Sequence, residues 1–327
     1  MGEDTFQKLF DTRLLRRLGR VGRLRDPLWV GEFDSAGARA RLAATEVLVT
    51  GWGCPPLTAE VLDRAPGLRA IVHAGGSVRQ HVTEACWRRG ILVSSAVEAN
   101  AIPVAEYTLA AILMAGKRVP QFAAEYRRHP GSWSTWRDRV PAASNYHRTV
   151  GIVGLSRIGR RVAGLLRPFD LTVLAYDPYA APQLAEQLGV TMVDLDTLVR
   201  RCDIVTLHAP ALPETRHLLD ARRLGLMRDH TTVINTARGS LIDTAALTAE
   251  CAAGRLSAIL DVTDPEPLPA DSALYDLPNV LLTPHIAGAM HDELRRLAEV
   301  AIDEVGRIAA GQPLQHQIRP EQMRTSA

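Results

Sequence analysis

The chain has 327 residues, 46% of them hydrophobic and 23% charged, with a formal net charge of +2. That length suits two domains, the composition excludes a disordered chain, and the charge balance offers no general attraction to nucleic acid or a membrane surface. Four cysteines, Cys54, Cys86, Cys202 and Cys251, lie far apart without CxxC spacing, which argues against a metal site or a disulfide framework and predicts a reducing, cytoplasmic location.

Residues 8–25 are basic, but Phe10, Leu14, Leu15 and Leu18 recur at helical spacing. This predicts a docked amphipathic helix with a solvated basic face, and the N-terminus lacks the apolar core of a secretory signal. Glu46–Thr50, Arg69–His73 and Ile91–Ser94 read as buried strands, with helices at Thr58–Arg64 and Thr83–Arg89 between them. Such alternation implies a parallel sheet covered on both faces. Val104–Arg118 predicts a longer helix ended by Pro120, whose apolar part, Tyr107–Gly116, is too short to span a bilayer. Residues 128–148 then lose periodicity and collect Pro, Gly, Ser and aromatic residues, Trp133 and Trp136 among them. From Thr149 the alternation restarts, with strands expected at Thr149–Val153, Thr172–Tyr176, Ile204–Leu207, Thr232–Asn235, Ala258–Asp261 and Val280–Leu282. A final helix, Asp292–Ala310, stops at Gly311 and Pro313, and the polar tail after it is expected to be loose.

The most informative local signal is Gly151-Ile-Val-Gly154-Leu-Ser156-Arg157-Ile158-Gly159, directly after a strand and opening a helix. In the dinucleotide fingerprint the first glycine makes the turn, the second admits the pyrophosphate and the third lets helix and strand pack closely. Here Ser156 replaces the middle glycine; it crowds the approach but could still donate a hydrogen bond to phosphate. Asp177 ends the next strand, 18 residues past Gly159, near the spacing of a carboxylate that takes ribose hydroxyls and repels a 2′-phosphate, which favours NAD over NADP. A plain strand–helix turn followed by a surface Asp would read the same on this segment alone. The fingerprint falls mid-chain, so the expected architecture is α/β with two Rossmann- or flavodoxin-like domains and parallel sheets. A nucleotide domain, 102–292, would be inserted into a first domain made of 1–101 and 293–327.

Three later segments end strands of the nucleotide unit, where ligands of open α/β sheets bind. Val233–Gly239 places Arg238 in the turn after a strand, suited to gripping a carboxylate. Ala258–Pro267 carries Asp261 at a strand end and Glu266 between two prolines that stiffen its loop. Val280–Gly288 ends a strand in His285. Each has a bland reading, as a surface Arg, a solvated Glu or a satisfied His. Together they form a complete set for ketone reduction: a proton donor, a carboxylate to orient it and a cation for an anionic substrate.

These stretches, LHAPALPETRHLL (207–219), INTARGSLID (234–243), LDVTDPEPLP (260–269) and NVLLTPHIAG (279–288), resemble the D-isomer-specific 2-hydroxyacid dehydrogenases in the correct order. The resemblance implies that His285 is the acid/base, Glu266 its partner and Arg238 the clamp on the substrate. It implies that Asp261, Thr236, Ala237 and Arg238 line the nicotinamide site, with His285 and Gly288 beside it, and that His208, Pro210 and Thr215 line the nucleotide cleft. It also implies a homodimer, and a small anionic 2-keto or 2-hydroxy acid held by His285, Arg238 and a glycine-rich loop, Gly75-Gly76-Ser77. This sequence departs from the family's pattern there, with Ser77 and Arg79 standing where Gly and Asp are frequent. Trp52 is a candidate cap on the pocket and Met290 borders it. Related folds also serve as NAD(H)-sensing corepressors or oxidise formate or phosphite. The absence of a disordered regulatory extension and the pairing of His285 with Glu rather than Gln favour hydroxyacid chemistry.

Overall fold

A computed structural model describes residues 1–25, 28–131 and 143–324. Trp133 and Trp136 lie outside the described residues. The chain divides into two compact units, Met1–Ala101 with Ala289–Ser326, and Ile102–Gly288. The return to the first unit comes at Gly288–Ala289 rather than at 292/293, because Ala289 already belongs to its packing: its N–H donates to Asn100 Oδ1 at 3.1 Å.

In the first unit, parallel strands β1 (Val47–Thr50), β2 (Ala70–His73) and β3 (Leu92–Ser95), with the short strand β11 (Gln317–Ile318), lie in the order β1-β2-β3-β11. Strand alternation sends Ala70 and Val72 to one face, against Leu9, Leu14, Leu18, Leu297 and Ile302, and Ile71 to the other, against Leu42, Leu62 and Cys86. The basic N-terminal segment forms helix Thr12–Val21, capped by the Asp11 side chain, with Leu14 and Leu18 buried. As far as Arg324 the tail is built into the fold rather than loose. Gln317–Ile318 adds β11 antiparallel to β3, since that edge offers unpaired backbone groups and Ile318 is buried against the core.

The helix after β3 starts earlier than expected, at Val97, and runs to Gly116 through Pro103. By length and composition it could cross a bilayer, yet Ala99 is buried in the core of the first unit, and Ala105, Ala111, Ile112 and Ala115 in that of the second. Pro120 does not simply end helical structure; it sits in the first turn of a new helix, Val119–Arg128, where its missing N–H costs nothing.

The second unit is a seven-stranded parallel sheet in the order β10-β9-β8-β7-β4-β5-β6. Its strands are β4 (Arg148–Val153), β5 (Leu171–Tyr176), β6 (Thr191–Met192), β7 (Ile204–Leu207), β8 (Thr232–Asn235), β9 (Ser257–Leu260) and β10 (Val280–Leu282). The order reverses at β4, which lies between β5 and β7, and the fingerprint loop leaves from that switch point. Strands β8, β9 and β10 are neighbours in register, Asn235 against Leu260 and Leu260 against Leu282, so the segments that follow them emerge side by side at one sheet edge.

Candidate active site

The turn after β4 is built for close approach. Gly154 has φ +95°, and a Cβ on it would fall 2.7 Å from the backbone nitrogen of Ala209; one on Gly159 would meet the Gly154 carbonyl oxygen at 2.0 Å. Arg157 and Ile158 open helix Arg157–Leu166 directly after that turn, and the first N–H groups of a helix have no acceptor within it. Asp177 stands at the end of β5, accepting from the Leu155 N–H at 2.7 Å and the Tyr179 N–H at 2.8 Å. Each carboxylate oxygen keeps a further lone pair for a ribose hydroxyl. Ser156 departs from expectation. Its hydroxyl donates to the carbonyl of His208 at 2.9 Å, so its proton is spent tying the loop to the end of β7 rather than pointed at a phosphate.

His208 is itself sealed at 3% exposure, with Nε2 3.1 Å from Thr206 Oγ1 and, among the described residues, no partner for Nδ1. Burial pushes its pKa down to about 3, so it is a neutral wall. Thr215 donates to the Pro210 carbonyl at 2.7 Å and accepts from the Leu212 N–H at 2.8 Å, which folds the 210–215 segment into a tight turn.

At the neighbouring edge, His285 Nδ1 lies 2.7 Å from Glu266 Oε1, with both side chains about half exposed. A carboxylate on Nδ1 fixes the proton there and leaves Nε2 as the outward nitrogen. His285 adopts φ +55°, an uncommon conformation for a side-chain-bearing residue. Asp261, 2% exposed, is what holds it. Its carbonyl accepts from the His285 N–H at 2.9 Å. One carboxylate oxygen takes the Thr283 hydroxyl at 2.7 Å and the Ile286 N–H at 2.8 Å, and the other takes the Ala287 N–H at 2.9 Å. Tyr107 adds a hydroxyl 2.7 Å from Thr283 Oγ1. Asp261 is thus the internal anchor of the His285 turn, a role its position at a strand end does not disclose.

Arg238 follows β8. Asn235 receives the Ala237 N–H on Oδ1 at 3.0 Å and donates to the Arg238 carbonyl at 2.9 Å, pinning the turn. Thr236 Oγ1 lies 2.9 Å from Thr108 Oγ1. Gly239 presses so closely on the next loop that a Cβ there would fall 2.0 Å from the carbonyl carbon and oxygen of Thr263. The Arg238 turn and the loop leading to Glu266 are therefore packed backbone to backbone. Asn235, Gly239, Thr283 and Tyr107 were not singled out in the sequence; a polar residue or glycine at a strand end is too common a signal to select them.

Gly75, Gly76 and Ser77 belong to the first unit, on the loop after β2, and Gly288 is the last residue of the second. A cavity of about 460 Å³ in the first unit, lined by Phe10, Leu18, Trp29, Phe33 and Val305 among others, contains none of these residues. Among the described residues no cluster of His, Cys, Asp and Glu could hold a metal ion.

An NAD-type cradle at a topological switch point, at the same end of the sheet's strands as a His–Glu pair and an Arg turn, defines a dinucleotide-dependent oxidoreductase fold. Residues 109–287 match the NAD binding domain of the D-isomer specific 2-hydroxyacid dehydrogenases, and the chain belongs to that family. It is 34% identical to a D-3-phosphoglycerate dehydrogenase of Methanocaldococcus jannaschii over 83% of this chain and 51% of that protein. It is 38% identical to the D-3-phosphoglycerate dehydrogenase of Mycobacterium tuberculosis over 86% and 52%. The chain spans about half the length of these curated relatives. A solved structure of a Thermus thermophilus protein is similar over 94% of this chain and 96% of its own, with a TM-score of 0.77 and 34% identity.

Proposed function

We propose that the protein is an NAD-dependent D-2-hydroxyacid dehydrogenase working as a 2-keto acid reductase. The observation that carries this reading is the 2.7 Å contact of His285 with Glu266 at the edge where the Arg238 turn also ends. The residues fit NAD: the Gly154 turn would admit a pyrophosphate, the helix opening at Arg157 would offer it N–H groups, and Asp177 would take the ribose hydroxyls. A reduced nicotinamide held by these residues would supply hydride-transfer chemistry.

This chain's own groups handle the rest. Arg238 pairs with the substrate carboxylate and orients the keto group. His285 donates its Nε2 proton to the C2 oxygen as that oxygen gains charge, while Glu266 holds the Nδ1 proton and stabilises the imidazolium form. A homodimer in a reducing, cytoplasmic compartment completes it, in keeping with Cys54, Cys86, Cys202 and Cys251 all being buried thiols.

The test is NADH consumption with a panel of 2-keto acids, alongside NADH binding by fluorescence. Turnover with at least one acid supports the reading. Binding of NADH with no turnover, in the manner of a sensing scaffold, contradicts it.

A further inference from the structure

The sheet of the first unit ends in the two-residue β11 on one side and in β1 on the other. In the β1–β2 ladder the Ala70 N–H donates to the Glu46 carbonyl at 3.3 Å, and the Ala74 N–H, just past β2, donates to that of Thr50 at 2.8 Å. Backbone direction alternates along a strand, so Glu46, Leu48 and Thr50 turn their polar groups to β2 while Val47 and Val49 turn theirs to the open side. Among the described residues no hydrogen bond reaches the N–H or C=O of Val47 or Val49.

The cavity of about 460 Å³ lies along this strand: all of residues 46–50 line it, together with Phe10, Leu18, Trp29 and Val305. It reaches solvent, because Arg23, Leu28 and Arg69 line it and are exposed. Its walls are apolar, yet four arginines, Arg23, Arg25, Arg41 and Arg69, border it against one acid, Glu46. Arg69 pairs with Glu46 at 3.3 Å, and among the described residues Arg23, Arg25 and Arg41 have no ion-pair partner. A volume of this size is that of a ligand pocket rather than a packing defect.

We propose that this cavity binds an extended segment of another polypeptide, apolar with acidic residues at its ends, which adds to the sheet as a further strand beside β1. The incoming backbone pairs with the N–H and C=O groups of Val47 and Val49, the groups that the sheet itself leaves open. Its apolar side chains pack on the cavity walls, and its carboxylates meet the arginines at the mouth. Strand β1 is four residues long, roughly 13 Å, so about four residues of the segment engage it. An alkyl chain would fill the same apolar space, but it would strip water from four backbone groups without replacing the lost hydrogen bonds. The open edge therefore selects a peptide over a fatty acid.

The probe is an array of acetylated hexapeptide amides, Glu-X-X-X-X-Glu with X drawn from Val, Ile, Leu, Phe and Thr, read with the labelled full chain. The best member is then titrated in solution beside dodecanoate, and a Kd below about 100 μM is expected for the peptide. Two twins of it, N-methylated at the second and fourth residues or at the third and fifth, isolate backbone pairing. One twin should lose at least about tenfold in affinity and the other should keep most of it, since only alternate N–H groups face β1. Replacing both Glu by Lys should weaken binding about tenfold. In the protein, Val49→Pro removes an N–H that the β1–β2 ladder does not use and should abolish binding. Arg41→Glu leaves the strand alone and should weaken binding at least about fivefold, again with NADH affinity unchanged. The proposal is overturned by an array with no bound member, by twins that behave alike, by a Lys peptide that binds as well, or by binding of dodecanoate alone.

Discussion

His285 and His73 both stand at the C-terminal ends of parallel strands, one in each unit, yet their surroundings make opposite use of the same side chain. His285 is half exposed with a carboxylate on Nδ1, so solvent reaches the ring while the Glu266 contact fixes its orientation. His73 is sealed, bonded to a hydroxyl and packed at a tilt against a second imidazole, so it stays neutral and fills space. Local sequence does not decide between these fates. Solvent access and the charge of the nearest partner do, because desolvation penalises the imidazolium and a carboxylate favours it.

Breaking the exposed half of this comparison should give the largest effects. His285→Ala should lower kcat about 10²- to 10⁴-fold, the usual range for removing a positioned acid/base, with NADH affinity unchanged; steady-state rates beside a fluorescence titration check it. Glu266→Gln keeps the shape and removes the charge, and kcat should fall by roughly tenfold or more with melting temperature held. Asp261→Asn strikes the anchor beneath. It exchanges one accepting oxygen for an amide facing N–H donors, and should cost about 2–3 kcal/mol of stability, measured by urea unfolding.

The sealed half sharpens the contrast through pH. His208, His73 and His81 have folded pKa values of about 3, 3 and 4 against an ordinary 6.5. Between those values the unfolded chain binds protons that the native one does not. Stability is therefore full above pH 6.5 and falls as pH drops toward 4, by up to about 1.4 kcal/mol per pH unit for each such group. His208→Gln should flatten this slope by one group's share, seen in urea midpoints from pH 7 to 4.5. The smallest effect concerns cofactor choice: Asp177→Ala should weaken NADH binding by about tenfold or less and narrow its preference over NADPH, measured by titration with each.

Much of this was legible in the sequence. Apolar runs bounded by Gly and Pro located the buried strands, and the Arg238, Glu266 and His285 segments declared themselves because each sits at a strand end. What escaped depended on partners far away in the chain. Strand β11 is two residues in a polar tail and exists only because β3 has an open edge. Pro120 reads as a stop because a helix-breaking residue and a first-turn residue look alike without the next ten positions' packing. The Tyr107–Thr283 contact spans 176 positions and the Thr50–His81 contact 31, so no local pattern marks either. Ser156 is visible as an exception, but its partner, the His208 carbonyl, lies just past the end of β7, 52 positions away.

The most direct test of the central claim is the absorbance of NADH on mixing with a good 2-keto acid, recorded for the native chain and for His285→Ala at matched, saturating cofactor. The account predicts rapid loss of absorbance in the first and a rate at least about a hundredfold slower in the second. Equal rates in the two would contradict it.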